Sequence, residues 1–289
     1  MIIDCRVRPA YKSYLKTKVP FNIDGAGALA AHLNLELPPC LLSGKPDYEA
    51  MIVEMDASGI THAVLWGRKS PNWGDVPNTE IAEVVEMGKG RFVGVGTVDV
   101  RPTTKLKAQI QECIDLGLEI DDCKTLLCVC GWYIYGVRAR DAWKWAMEGI
   151  ADVAEYAKKS GVTLMLEPTA TDSNLVESCD DAINMMEDIG MENVKLMFDT
   201  THALYRNEVP ADYVYQMGKD LKHIHIADYD RTAPGTNGCD FVSIMQALKD
   251  IGYDGYVTME NGFPSRSCHA DVVARQSLEN LKAIEKMLK

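Results

Sequence analysis

Four side chains of types that bind metal ions follow or end short apolar runs in the second half of the sequence. They are Glu167 after LML, Asp199 after LMF, His225 within KHIHIA and Glu260 after VTM. If each run is a parallel β-strand, the four side chains lie at the carboxyl ends of neighbouring strands, where catalytic residues of barrel enzymes gather. Acidic groups directly after apolar strands are costly to bury without a cation. The pattern therefore predicts one shared metal site, although any one of these carboxylates alone is more simply interpreted as a solvated loop residue.

The predicted ligand set indicates which ions it would hold. Three carboxylates and one imidazole form a hard, oxygen-rich set, which suits Mn²⁺, Mg²⁺ or Co²⁺ with about six ligands rather than a tetrahedral structural zinc. Two coordination positions then remain for substrate oxygens. Cys128 and Cys130 are a second pair of metal-type residues, but no Cys or His follows them at zinc-finger spacing. We interpret them as buried small residues of a strand.

Two more histidines and an arginine lie near the predicted ligands. His223 and His225 are two residues apart on one predicted strand, so their side chains point to the same side. Only the later one reaches the top of the strand, so we assign His225 to the metal and interpret His223 as a packed, hydrogen-bonded histidine. His202, in the loop three residues after Asp199, is placed to bind a substrate hydroxyl, and Arg231 is placed to clamp an oxygen-rich substrate. Ordinary loop polarity is the alternative for both.

The elements that must position these residues alternate strictly along the chain. Eight apolar, β-branched runs predict strands at residues 2–5, 61–66, 92–98, 125–130, 162–166, 194–198, 221–227 and 256–260. Amphipathic segments predict helices at residues 47–59, 78–90, 103–117, 139–161, 174–190, 241–252 and 272–289. Eight such units predict an α/β fold, a (β/α)8 TIM barrel that forms a single domain over residues 1–289. An open doubly wound sheet is disfavoured because no Gly-rich fingerprint follows the first strand.

Residues 10–46 interrupt this alternation between the first strand and the first strong helical pattern. Connections of this length usually carry function or structure of their own. The segment GAGALAAHLN predicts a short helix within it. Because the loop would lie at the carboxyl end of the first strand, it forms either a lid or pocket wall, or padding without a function.

Composition and charge narrow the class of protein. The 289 residues are 47% apolar and 25% charged, without a run long enough to span a membrane and without a signal-peptide pattern at the start. The net charge of −12 opposes nucleic-acid and anionic-membrane partners. Nine cysteines without a repeated spacing indicate a reducing compartment. We expect a cytoplasmic protein that acts on a small molecule, with homo-oligomerisation left open.

From about Cys123 onward, the sequence resembles a known group of enzymes. The stretches that carry the resemblance are YIYGVRARDAWKWAMEGIADVAEYAKKSGVTLMLEP, FDTTHAL, HIHIADYDRTAPG and ALKDIGYDGYVTMEN. They resemble the sugar phosphate isomerase/epimerase group of xylose isomerase-like barrels, and within it the D-tagatose 3-epimerase and fructoselysine 3-epimerase type. The resemblance implies the same four metal ligands, with Mn²⁺, Mg²⁺ or Co²⁺ as cofactor. It also implies that His202 and Arg231 contact the substrate.

The first part of the chain resembles a different family. MIIDCRVRP, MDASGITHAVLWGR and GRFVGVGTVDVRP are similar to the opening strands of the second amidohydrolase group, also a (β/α)8 barrel, whose first strand carries Asp-x-His-x-His. Here Arg6 and Arg8 occupy both histidine positions, and a guanidinium cannot replace an imidazole as ligand. We expect both to point into the barrel or to its rim without binding metal. The change near residues 118–123 divides the barrel into an amidohydrolase-like half, 1–118, and an isomerase-like half, 119–289, as in a natural or engineered chimera.

The function that these observations favour is sugar isomerisation or epimerisation. An ion that holds the carbonyl and hydroxyl oxygens of a ketose stabilises the enediolate formed when the carbon between them loses a proton. Glu167 and Glu260 are the predicted acid/base pair. Return of the proton to the opposite face is epimerisation, and its return to the adjacent carbon is aldose–ketose isomerisation.

Three alternatives compete with this function. A metal-binding barrel scaffold with little turnover is the foremost, because part of the pocket comes from the foreign half. An amidohydrolase-type hydrolase lacks its histidines. A barrel related to metal-dependent DNA-repair endonucleases is opposed by the charge of −12.

Overall fold

A computed structural model describes residues 2–7, 9, 11–16, 48–70, 74–99, 103–118, 125–262 and 270–288. The chain divides into two compact units, Met1–Cys123 and Lys124–Lys289. Within the described residues, the strands are β1 (Ile3–Val7), β2 (His62–Trp66), β3 (Phe92–Val95), β4 (Thr125–Val129), β5 (Thr163–Glu167), β6 (Val194–Asp199), β7 (Leu221–Ile226) and β8 (Val257–Met259). All eight predicted strands are therefore confirmed, with ends that shift by no more than three residues.

The helices of the described residues follow the strands. They are α1 (Tyr48–Ser58), α2 (Asn78–Met87), α3 (Leu106–Asp115), α4 (Ala139–Lys158), α5 (Cys179–Ile189), α6 (Thr200–Tyr205), α7 (Pro210–Met217), α8 (Phe241–Asp250) and α9 (Ala270–Met287). The seven predicted helices are confirmed, whereas α6 and α7 were not predicted. Both are too short for the 3.6-residue period to show in the sequence. No helix of the described residues is long and apolar enough to cross a membrane.

The first unit contains a parallel three-stranded sheet in the order β1-β2-β3. Part of the long first connection is described here as a 3₁₀ helix, Lys12–Lys16, which is tied to α2. Ser13 N and Ser13 Oγ donate to Glu80 Oε2 and Oε1 at 2.9 and 3.0 Å. The predicted helix in GAGALAAHLN and Arg8 lie outside the described residues, and so does the side chain of Arg6.

The second unit contains a parallel five-stranded sheet in the order β4-β5-β6-β7-β8. Side chains of a strand alternate between the two faces of the sheet. Leu164, Leu166, Leu196, Phe198 and Ile224 pack in the buried core with residues of α4, α5, α7 and α8. The residues that alternate with them on the same strands therefore point to the opposite face. The last residues of β5 and β6 belong to this second set. Cys128 and Cys130 are partly buried free thiols that pack against the same core.

Local capping sets where α5 begins. The predicted helix over 174–190 starts only at Cys179, because Ser178 and Asp181 form a capping box. Asp181 N donates to Ser178 Oγ at 3.1 Å, and Ser178 N donates to Asp181 Oδ2 at 3.0 Å. The helix ends at Gly190, whose φ of 64° is the left-handed conformation that favours glycine. Both ends of the helix are thus fixed by its own sequence.

Candidate metal centre and active site

The predicted metal-type residues occupy the carboxyl ends of four consecutive strands. Glu167 is the last residue of β5, Asp199 is the last residue of β6, and Glu260 directly follows β8. His225 lies next to the end of β7, in register with Asp199. Glu260 N donates to Ile226 O at 3.0 Å, which holds Glu260 at the same end of the sheet.

The side chains form two overlapping groups that share Asp199. Ligand atoms of Asp199, His225 and Glu260 lie within 4.8 Å of one another, and so do those of Glu167, Asp199 and His202. The four predicted ligands are thus brought together through Asp199 rather than as one group of four. His202 is a member of the second group, although its sequence position had indicated only a substrate contact.

Asp199 is completely buried and is held by the start of α6. Its Oδ1 accepts from Thr201 N at 2.8 Å, which makes Asp199 the N-cap of this helix. Its Oδ2 lies 2.8 Å from Nη1 of Arg231, but this is an ion pair without hydrogen-bond geometry. A buried carboxylate oxygen without a hydrogen bond is costly, so Asp199 retains capacity for a further cation.

His225 and Glu260 form a second ion pair at the same site. His225 Nδ1, a buried atom, lies 2.7 Å from Glu260 Oε2, again without hydrogen-bond direction. The contact with His225 lowers the pKa of Glu260, and the charge of Arg231 adds to this effect. Burial lowers the pKa of His225, but the contact with Glu260 and the charges of Glu260, Glu167 and Asp199 together outweigh burial, and the net change is upward. Each partner thus favours the charged form of the other.

Glu167 is the buried carboxylate of the second group, which it forms with Asp199 and His202. Its exposed fraction is 6%. Burial raises the pKa of Glu167 to about 7, the charge of His225 opposes this rise, and those of Asp199 and Glu260 reinforce it. The side chain is thus close enough to all three to respond to their charges.

The two predicted substrate contacts lie beside these ligands. His202 lies in α6 rather than in a loop and is buried, with Nδ1 3.1 Å from Thr171 Oγ1. Burial lowers its pKa, which favours the neutral imidazole. Arg231 Nη1 is 3.3 Å from Glu260 Oε2, in addition to its pairing with Asp199, and donates to Glu260 O at 3.2 Å.

His223 has a different environment from His225. Its Nε2 lies 3.0 Å from Thr258 Oγ1 on β8, and its ring is 5.0 Å from the ring of His225 at 87°. Burial and the charge of His225 lower the pKa of His223 to about 4. This environment agrees with the interpretation of His223 as a packed, hydrogen-bonded residue.

Two buried polar residues near the site were missed by the sequence analysis. Thr200 Oγ1 donates to Ala227 O at 2.7 Å and accepts from Ala227 N at 2.9 Å, which ties the end of β6 to the end of β7. Asp228, completely buried, accepts hydrogen bonds from the loop that carries Arg231. Asp228 directly follows an apolar run, as the three predicted carboxylate ligands do, so the same signal was present.

The residues present fit a divalent ion. Oxygen and nitrogen ligands bind such ions at about 2.0–2.6 Å, so two ligands of one ion lie within roughly 5 Å of each other. Both overlapping groups meet that condition. Asp199 Oδ2 and His225 Nδ1 are buried and lack a hydrogen bond among the described residues. An ion that contacts both atoms would satisfy them.

Comparison with known proteins identifies the kind of barrel. The sequence model of the xylose isomerase-like TIM barrel family matches residues 84–284, more than half of the chain. The D-psicose 3-epimerase of Enterocloster bolteae is 31% identical over 126 residues, 43% of this chain and 40% of that protein. The L-ribulose 3-epimerase of Mesorhizobium japonicum is 34% identical over 124 residues, 42% of this chain and 41% of that protein. The chain thus spans less than half the length of either relative.

A solved structure shows the same fold over more of the chain. The structure of an L-ribulose 3-epimerase superposes with a TM-score of 0.60 and 21% identity, covering 83% of this chain and 89% of the other. Together with the family match, it confirms the predicted TIM-barrel fold. The family match begins at residue 84, upstream of the predicted change of resemblance near 118–123. It therefore gives no support to the amidohydrolase-like first half or to a chimera.

Proposed function

Because the chain belongs to the xylose isomerase-like TIM barrel family, we propose that it is a divalent-metal-dependent epimerase or isomerase of a ketose or ketose phosphate. One observation carries the proposal: Asp199, completely buried, is shared by two groups of metal-type side chains at the carboxyl ends of β5 to β8. The matched relatives named D-psicose 3-epimerase and L-ribulose 3-epimerase favour epimerisation at C3.

Glu167, Asp199, His225 and Glu260 would hold the ion, which we expect to be Mn²⁺, or else Mg²⁺ or Co²⁺. When bound, the ion supplies positive charge that stabilises the negative charge developing on the substrate oxygens. The Arg231 guanidinium, 2.8 Å from Asp199 Oδ2, would compete with an ion held by Asp199 and would move away when the ion is bound. Arg231 is then available for the substrate.

Two glutamates move the proton in this proposal. Glu167 ends β5 and Glu260 follows β8, with two strands between them, so they approach a bound sugar from different sides. Adjacent strands lie about 4.8 Å apart, which leaves room for a sugar between the two carboxylates. One glutamate removes the proton from the carbon beside the carbonyl, and the other returns it to the opposite face. Its return to the neighbouring carbon gives isomerisation instead.

His202 and Arg231 bind substrate oxygens. His202 is held by Thr171 through Nδ1, so its ring is fixed and its Nε2 lies 4.0 Å from Asp172 Oδ2. Arg231 presents several N–H donors on one plane, which matches the hydroxyl and phosphate oxygens of a sugar. Fixed donors of this kind hold the reacting carbon in line with the two glutamates.

The test is proton exchange in D₂O. Ketohexoses, ketopentoses and their phosphates are incubated with the Mn²⁺-loaded protein, and NMR follows deuterium at the carbon beside the carbonyl. We expect exchange with at least one sugar and its loss, by at least about a hundredfold, in Glu167→Gln and in Glu260→Gln. Glu187→Gln, on the exposed face of α5, is the matched control and should leave the rate unchanged. No exchange with any sugar, in folded protein shown to bind Mn²⁺, would support the non-catalytic scaffold.

A further inference from the structure

The loop that carries Arg231 is organised around one buried carboxylate, Asp228. Its exposed fraction is 0%. Oδ2 accepts from the backbone N–H groups of Gly235, Thr236 and Asn237 at 3.0, 3.0 and 2.8 Å. Oδ1 accepts from the N–H groups of Tyr229 and Cys239, both at 2.9 Å. The five donors lie on both sides of Arg231 in the sequence, so the carboxylate closes the loop with Arg231 inside it.

Arg231 needs such support because its backbone is strained. Asp230 and Arg231 have φ angles of 57° and 56°, the left-handed conformation that side chains other than glycine disfavour. Arg231 O accepts from Gly262 N at 2.7 Å, which fixes one side of the residue to the segment after β8. The Asp228 carboxylate fixes the other side through the loop.

Asp228 is also linked to the metal-type residues through its neighbour in the chain. Its neighbour Ala227 exchanges two hydrogen bonds with Thr200, which directly follows Asp199. These contacts form a closed circuit. Asp199 is bonded to Thr200, Thr200 is hydrogen-bonded to Ala227, and Ala227 is bonded to Asp228. The loop after Asp228 carries Arg231, whose ion pair leads back to Asp199. A shift of the loop would separate the guanidinium from Asp199.

We propose that Asp228 is a positioning residue that holds the Arg231 guanidinium against the substrate site, an inference that rests on the proposed function for its catalytic consequence. This role requires the carboxylate of Asp228, and a neutral polar side chain of similar size, such as asparagine, cannot replace it. All five partners are N–H donors, and a carboxylate offers only acceptors. An asparagine would turn one of its two atoms into a donor that faces donors.

The kinetic test is a double-mutant cycle with the Mn²⁺-loaded protein. Asp228→Asn should lower kcat/KM by about a hundredfold, because a displacement of about 1 Å at a positioning group has an effect of that size. In the Arg231→Lys background the same change should lower kcat/KM by less than about threefold, because the residue through which Asp228 acts is already altered. Equal losses in the two backgrounds, or no loss, would overturn the proposal.

A control variant tests whether the loss of activity is specific to Asp228, and a second variant replaces Asp228→Asn if that protein does not fold. Asp240 also accepts a backbone N–H, that of Ser243 at 3.0 Å, but caps α8 outside this loop. Asp240→Asn should therefore leave kcat/KM of the folded protein unchanged. If Asp228→Asn cannot be purified, Asp228→Glu keeps the charge and lengthens the side chain, and should show the same dependence on Arg231.

A structural readout separates this proposal from the proposed function. In metal-free Asp228→Asn, the amides of residues 235–237 and 239 should lose hydrogen-exchange protection relative to the metal-free wild type, and a crystal structure should show Arg231 away from Asp199. Arg231 still paired with Asp199 in that structure would overturn the positioning role. If the wild-type protein acts on no sugar, the proposed function fails, whereas the displacement of Arg231 still decides the role of Asp228.

Discussion

Arg231 and Asp199 form an ion pair at the centre of the site, with 2.8 Å between Nη1 and the buried Oδ2. The guanidinium supplies positive charge to the same carboxylate oxygen that we propose for a divalent ion. The metal-free protein therefore does not leave Asp199 uncompensated, which would cost several kcal/mol for a buried charge. We therefore expect binding of the ion to be coupled to release of Arg231.

Asp199 should contribute most to metal affinity among the carboxylates. It belongs to both groups of metal-type side chains and is completely buried. Asp199→Asn should weaken Mn²⁺ binding by at least about a hundredfold, more than second-sphere changes do. Titration followed by the EPR signal of free Mn²⁺ measures this. Asp172→Asn is the control, since Asp172 lies 4.0 Å from His202 but is exposed and outside both groups. Similar affinities in the two variants would contradict the assignment.

Removing the Arg231 charge should destabilise the metal-free protein and increase its affinity for Mn²⁺. Arg231→Gln leaves Asp199 Oδ2 without its cation, and we expect a loss of about 1–2 kcal/mol, moderated because Arg231 is 30% exposed. Mn²⁺ should bind about three- to tenfold more tightly without a competing guanidinium, and should raise Tm more than in the wild type.

Differential scanning calorimetry with and without Mn²⁺ measures both effects. Arg206→Gln is the control, because Arg206 pairs with Glu208 at 2.9 Å outside the site and should not alter the response to Mn²⁺. A smaller rise of Tm in Arg231→Gln than in the wild type would refute the competition between arginine and ion.

The sequence contained enough information to predict strands and strand-end ligands, but not the network around them. Apolar β-branched runs located β5 to β8, and the two-residue period of a strand correctly oriented His223 and His225 to one side. The pairing of Arg231 with Asp199 depends on left-handed backbone at Asp230 and Arg231. That conformation cannot be predicted from the sequence, because neither residue is a glycine. The acceptor role of Asp228 was hidden for a related reason: its partners are backbone N–H groups, which every sequence contains.

The buried thiol of Cys179 and the partly buried thiol of Cys239 should make the protein less stable at alkaline pH. Burial raises the pKa of Cys179 to about 12, with the charges of Asp180 and Glu208 adding to the effect. Burial likewise raises the pKa of Cys239 to about 12. An unfolded thiol ionises near pH 8.5, so the folded state holds more protons between about pH 9 and pH 12. The free energy of unfolding should therefore fall as pH rises through this range.

Urea unfolding of the wild type and of Cys179→Ala and Cys239→Ala at pH 8, 9 and 10 tests the thiol contribution. Each substitution should make the decline shallower by up to about 1.4 kcal/mol per pH unit. The tyrosines contribute to the remaining decline, because burial also raises the pKa of Tyr253 to about 12. Identical slopes in the variants and the wild type would show that neither thiol controls alkaline stability.

The two histidines of β7 offer the closest matched pair for the metal assignment. They lie on one strand two residues apart, but His225 Nδ1 contacts Glu260 at 2.7 Å, whereas His223 Nε2 contacts Thr258 at 3.0 Å. His225→Gln should weaken Mn²⁺ binding by at least about a hundredfold, because it removes the nitrogen ligand and the partner of Glu260. His223→Gln should change the affinity by less than about threefold, since glutamine can still reach the Thr258 hydroxyl. The structure of a crystal soaked in Mn²⁺ then identifies the ligands directly. Nitrogen from His223 on the ion, or equal losses of affinity in the two variants, would reverse the assignment and move the metal one layer deeper along β7.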